Sequence, residues 1–114
     1  MAITSPELNV DAVLGILGPD GPLAKTLKGF ESRSEQKAMM RNILDAYHHN
    51  HISLIEAGTG TGKSLAYLIP AMLWAVEAKE RTLISTNTIN LQEQLIHKDI
   101  PLVANALNLN VKAV

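Results

Sequence analysis

The side chains best equipped for chemistry are concentrated in one run, Ile55-Glu56-Ala57-Gly58-Thr59-Gly60-Thr61-Gly62-Lys63-Ser64. Closely spaced glycines let successive backbone N–H groups converge on anionic oxygens, and a helix starting just afterwards adds the positive end of its dipole. A lysine and a hydroxyl directly after the turn supply a cation for the β- and γ-phosphates of a nucleoside triphosphate and a ligand for its Mg²⁺. The spacing therefore predicts a phosphate-binding loop. Ala57, Gly58, Thr59, Gly60, Thr61 and Gly62 form the cradle, Lys63 and Ser64 are the candidate catalytic pair, and Ser64 is the candidate Mg²⁺ ligand. Ala57 stands where the strict motif has glycine, which is tolerable at negative φ. A flexible Gly/Thr linker is the plainer alternative.

The flanks argue against a linker. Ile52 to Ile55 is a short apolar run of strand character, and Leu65 to Ala78 has helical periodicity, with Pro70 inside it as a predicted kink. Thr82 to Ser85 reads as a second strand and is followed by a helical stretch from Ile89. Strand, helix, strand in this order predicts an α/β fold with a parallel sheet and right-handed crossovers, helices lying on both faces in three layers. Ligand-binding groups in such sheets gather at the carboxyl ends of the strands. Thr86, Asn87 and Thr88 fall at that edge, where they could hold a phosphate or simply cap the next helix.

The remaining chain supports this frame. Asn9 or Asp11 is placed to cap a short helix carrying Val10, Val13, Leu14 and Leu17, and Pro22 suits the start of another. Residues 1–29 thus read as a lead-in with short helices, and 30–114 as the main domain. Ser32 and Glu35 form a capping-box pair that predicts a helix start at Arg33, with Met39, Met40, Ile43, Leu44 and Tyr47 as its buried stripe. Three histidines at 48, 49 and 51 invite a metal site, but His48 and His49 face apart on a helix, so helix-end capping is the expected role. Trp74 is expected to pack in the core. Pro101 is expected to start another helix, Leu102 to Leu107, and Val111 to Val114 to begin a third strand.

Bulk properties narrow the function classes. The chain has 114 residues, is 46% hydrophobic and 4% aromatic, and carries a formal charge of −1, so any nucleic-acid binding must come from a local patch. It contains no cysteine, which excludes an internal disulfide or a cysteine-ligated metal and is compatible with a cytoplasmic location. No apolar run approaches the roughly 20 residues of a membrane span, and no membrane partner is expected. Oligomeric state is not legible.

Three blocks together resemble the N-terminal part of DinG-type ATP-dependent DNA helicases, in the Rad3/XPD-like branch of superfamily 2. They are Gly29 to Gln36, Glu56 to Ala71 including Ala57 and Pro70, and Ser85 to Leu95 with its continuation through Leu102. The resemblance implies a partial, truncated RecA-like ATP-binding domain over 30–114. It implies that Gln36 reads adenine, that Arg33 and Phe30 support the base, and that Thr86, Asn87 and Thr88 touch the backbone of single-stranded DNA. It also implies an iron–sulfur cluster on four cysteines and an acidic motif II, and neither occurs in this chain. The segment is therefore expected to bind ATP and not to hydrolyse it alone. A P-loop ATPase or kinase of another class would need neither the Gln36 contact nor DNA at Thr86 to Thr88. A non-catalytic nucleotide- or DNA-binding module is the third possibility.

Overall fold

A computed structural model of the chain describes residues 8–56 and 62–114. Its helices are α1 (Val10–Ile16), α2 (Pro22–Thr26), α3 (Ser34–His49), α4 (Lys63–Ala78), α5 (Ile89–Gln94) and α6 (Ile100–Leu107). α1 begins where Asn9 Oδ1 accepts a hydrogen bond from the Ala12 N–H at 3.0 Å. α2 follows a tight reversal at Gly21, where a Cβ would meet the carbonyl oxygens of Gly15 and Ile16, and Pro22 occupies the first turn. Both short helices pack on the body, α1 against α3 and α2 against α6, burying Leu14, Leu17 and Leu23.

α3 and α4 form the central pair. α3 turns Gln36, Met40 and Leu44 inward at i, i+4, i+8, with Met39, Ile43 and Tyr47 half-buried beside them. The expected capping box is not formed. The residue before the helix is Arg33, whose side chain has no oxygen to accept an N–H, and no side-chain cap is present. α4 buries Ala66, Leu68, Ile69, Pro70, Ala71, Met72 and Trp74, so its middle is enclosed on most sides. Pro70 has no N–H for the Ala66 carbonyl one turn earlier. Trp74 packs on Tyr47, with ring centroids 5.1 Å apart and planes tilted by 32°, and donates its Nε1–H to Glu80 at 3.1 Å.

Pro101 lies in the first turn of α6, which ends at Leu107 as expected. α5 runs through a π turn, Leu95–Asp99, directly into it. The Ile100 N–H reaches back five residues to the Leu95 carbonyl, widening the helix just before the residue that lacks a donor.

A correction concerns the fold class. Among the described residues there is no strand and no sheet, so the predicted three-layer α/β/α arrangement with a parallel RecA-like sheet is not what this chain forms. The segments with strand character lie unpaired, and Ile52, Leu54 and Leu83 are 91%, 96% and 94% exposed. The physical reason is that strand propensity records fit to a pleated, half-buried surface. Parallel strands need lateral partners and cover on both faces. Here α4 packs on both α3 and α6, and no sheet separates them.

Candidate nucleotide site

The predicted cradle residues Ala57, Gly58, Thr59, Gly60 and Thr61 lie outside the described residues. The described part begins at Gly62, which has left-handed backbone angles (φ 74°, ψ 40°) and immediately precedes α4. Lys63 and Ser64 form the first turn of α4, Lys63 exposed and Ser64 half-buried. No side chain caps this helix start, and the first-turn N–H groups of an α-helix have no intrahelical acceptor.

α3 delivers Gln36 to this point. The residue is 3% exposed, and its Nε2 donates to the Gly62 carbonyl at 3.0 Å. That bond fixes the amide orientation, since a carbonyl can only accept. Oε1 is left buried with no hydrogen-bond partner among the described residues. The approach is so close that a Cβ on Gly62 would run into the Gln36 amide. Glycine suits position 62 by its φ, and any larger residue would also have to displace the end of the Gln36 side chain. Arg33 sits one turn before Gln36, exposed, and Phe30 is half-buried against the core after the turn at Gly29 (φ 81°). Gln36 and Gly62 are thus brought into contact, while Phe30 and Arg33 lie on the same approach to α3.

The second predicted group is a local network. Thr88 caps α5, its Oγ1 accepting from the Leu91 N–H at 3.1 Å, and the Thr86 hydroxyl donates to the Thr88 carbonyl at 3.2 Å. Asn87 is exposed between them. A cavity of about 510 Å³ is lined by Thr86 and Asn87 together with Tyr67, which lies one turn along α4 from Lys63. Tyr67 was not singled out from the sequence, because an aromatic in a helical stripe is indistinguishable from core. A neighbouring cavity of about 730 Å³ lies beside Tyr47, Trp74 and Thr82. Burial pushes the Tyr47 phenol above its ordinary value, and its hydrogen bond with Thr82 acts in the opposite direction.

The histidine run takes the expected helix-end role in part, with His49 Nδ1 3.1 Å from the Asp45 carbonyl oxygen, and does more besides. His48 Nε2 accepts from the Leu8 N–H at 3.1 Å, tying the lead-in to α3. His49 Nδ1 lies 2.9 Å from Asp45 Oδ1, and His51 Nε2 lies 3.5 Å from Asp45 Oδ2. Sequence reasoning compared the histidines with each other and passed over the carboxylate four residues earlier.

A family model described as DEAD/DEAH box helicase matches residues 33–114, a span running from Arg33 through Gln36, Lys63 and Thr88. This chain belongs to that family. It is 40% identical over 100 residues to the ATP-dependent DNA helicase YoaA of Haemophilus influenzae, an alignment covering 88% of this chain and 15% of that protein. It is 40% identical to the 3'-5' exonuclease DinG of Bacillus subtilis over 84% of this chain and 10% of that protein. The corresponding values for YoaA of Escherichia coli are 44%, 78% and 13%. These similarities agree with the resemblance carried by the three sequence blocks. The chain spans 10–15% of the length of these curated relatives. No solved structure matches it significantly. Among the described residues no helix is long and apolar enough to cross a membrane. With no cysteine, the residues present do not fit an iron–sulfur cluster.

Proposed function

We propose that this helicase-family segment is the ATP-binding N-terminal part of a cytoplasmic DinG-type DNA helicase, in which ATP hydrolysis drives unwinding. The observation that carries this is the Gln36–Gly62 contact, a buried amide seated at the end of the phosphate loop with one oxygen still lacking a partner. An amide can donate and accept at once, which matches the paired donor and acceptor on the edge of adenine. The orphaned Oε1 and the left-handed Gly62 are consistent with an ATP site at this position.

In this assignment Gln36 recognises the base, with Phe30 and Arg33 beside it. Ala57, Gly58, Thr59, Gly60, Thr61 and Gly62 surround the phosphates. Lys63 balances charge on the β- and γ-phosphates, and the Ser64 hydroxyl is the Mg²⁺ ligand. Thr86, Asn87 and Thr88 contact the backbone of single-stranded DNA. Thr88 keeps its hydroxyl hydrogen for a phosphate even while its oxygen caps α5. The position of Thr86 and Asn87 on the cavity that also meets Tyr67 supports coupling between DNA and the loop through α4.

The test is Lys63→Ala in the full-length protein. DNA-stimulated ATP hydrolysis is expected to be abolished, because the charge balancing the γ-phosphate in the transition state is gone. Unchanged turnover would overturn the assignment.

A further inference from the structure

The end of α3 assembles a second group of ligating side chains, separate from the phosphate loop and independent of the function proposed above. Asp45 and His49 are four residues apart and therefore share a face of the helix. Asn50 then adopts left-handed angles (φ 52°, ψ 50°) and reverses the chain, and the His51 N–H closes the turn on the Ala46 carbonyl at 3.1 Å. This reversal carries the His51 ring back over the same face. It lies nearly parallel to the His49 ring, with centroids 6.2 Å apart and planes 10° apart. One carboxylate and two imidazoles result, with one ligand atom from each lying within 4.8 Å of the others. We propose that Asp45, His49 and His51 form a binding site for a divalent transition-metal ion of the zinc class.

The donor set selects the metal. Two imidazole nitrogens and one carboxylate suit Zn²⁺ and its neighbours, whereas Mg²⁺ and Ca²⁺ require oxygen-dominated shells. Three protein ligands leave the fourth tetrahedral position to water. Ligand bonds of about 2.0–2.2 Å place neighbouring donors roughly 3.4 Å apart in a tetrahedral site. The Asp45–histidine separations, 2.9 Å from Oδ1 to His49 and 3.5 Å from Oδ2 to His51, are of that size, although the two imidazoles meet different oxygens of the one carboxylate. All three ligand atoms lie within 4.8 Å of one another on exposed side chains, which can rotate to close on an ion without disturbing the core. A bound ion would tie the C-terminus of α3 to the segment leading into the phosphate loop.

The same chain supplies a control. His97 and Glu93 form an equivalent helical pair at 3.0 Å, and they belong to no three-ligand group among the described residues. The experiment titrates Zn²⁺ into the full-length protein against a chromogenic zinc chelator, in the presence of excess Mg²⁺. A site is expected whose affinity falls at least tenfold in His51→Ala and in the near-isosteric Asp45→Asn, and is unchanged in His97→Ala. Circular dichroism of each variant in the absence of metal separates lost ligation from lost folding, and Asp45→Asn decides should His51→Ala misfold. Zn²⁺ affinity equal to wild type in Asp45→Asn, or an equal loss in His97→Ala, overturns the site.

Discussion

Gln36→Met separates the two roles open to the Gln36 amide. Methionine is unbranched, similar in length and apolar, so it refills a site that is 3% exposed without leaving a polar atom behind. Among the described residues the amide makes one hydrogen bond, to Gly62 at 3.0 Å, which contributes about 1 kcal/mol net. Its Oε1 is buried without a partner among the described residues, at a cost of about 1–3 kcal/mol. The Gly62 carbonyl is not stranded by the change, because Gly62 is exposed and already accepts from the Ala66 N–H at 3.4 Å. Without nucleotide, Gln36→Met is therefore expected to be neutral or stabilising by up to about 2 kcal/mol, the difference of those two quantities. ATP should behave oppositely. Losing a donor–acceptor pair to the base costs about 1–3 kcal/mol, or roughly 5- to 150-fold in affinity. GTP, whose base presents a different edge, should lose much less. The assay compares the apparent melting temperature of the nucleotide-free protein with ATP and GTP affinities measured calorimetrically. A melting temperature lowered by several degrees with both affinities unchanged would refute the reasoning and make Gln36 a peg for Gly62.

Three further substitutions test neighbouring parts of the structure. Thr88→Ala removes the α5 cap and should cost about 1 kcal/mol, seen as faster amide exchange at Leu91, whereas Thr88→Ser should restore it. Asn87→Ala, which disturbs no cap, should weaken single-stranded DNA binding severalfold in filter binding while leaving ATP affinity intact; a fall in ATP affinity alone would count against the DNA assignment. Tyr47→Phe should remove part of the alkaline loss of stability. The folded chain holds the phenolic proton more tightly than the unfolded chain, so this contribution is complete below the ordinary value of 10.0 and is lost as pH rises through the raised folded value. Below that range the substitution should cost only about 0.5–1.5 kcal/mol for the hydrogen bond with Thr82, measured by chemical denaturation across pH.

What the sequence made legible was local. Asn9 and Pro22 mark helix starts through chemistry that acts within one turn, and the apolar stripe of α3 is visible as spacing alone. Gln36 was reached through a resemblance, and its seat against Gly62 follows from the packing of α3 on α4. The sheet was misread because Ile52, Leu54 and Leu83 satisfy strand periodicity, and periodicity says nothing about whether a partner strand lies alongside. The Asp45–His49–His51 group was missed for a related reason. It depends on a chain reversal at Asn50, and asparagine tolerates left-handed angles without announcing which turn will use them.

The placement of Trp74 has an optical consequence. It is the single tryptophan of this chain, buried between Tyr47 and the edge of the His48 ring, with its indole N–H held by Glu80. Its emission therefore comes from the seam where α3 meets α4. α3 carries Gln36, and α4 begins with Lys63 and Ser64. Any ligand that shifts one helix against the other changes the quenching groups around the indole. The segment carries its own fluorophore, positioned to report relative movement of these helices without a label.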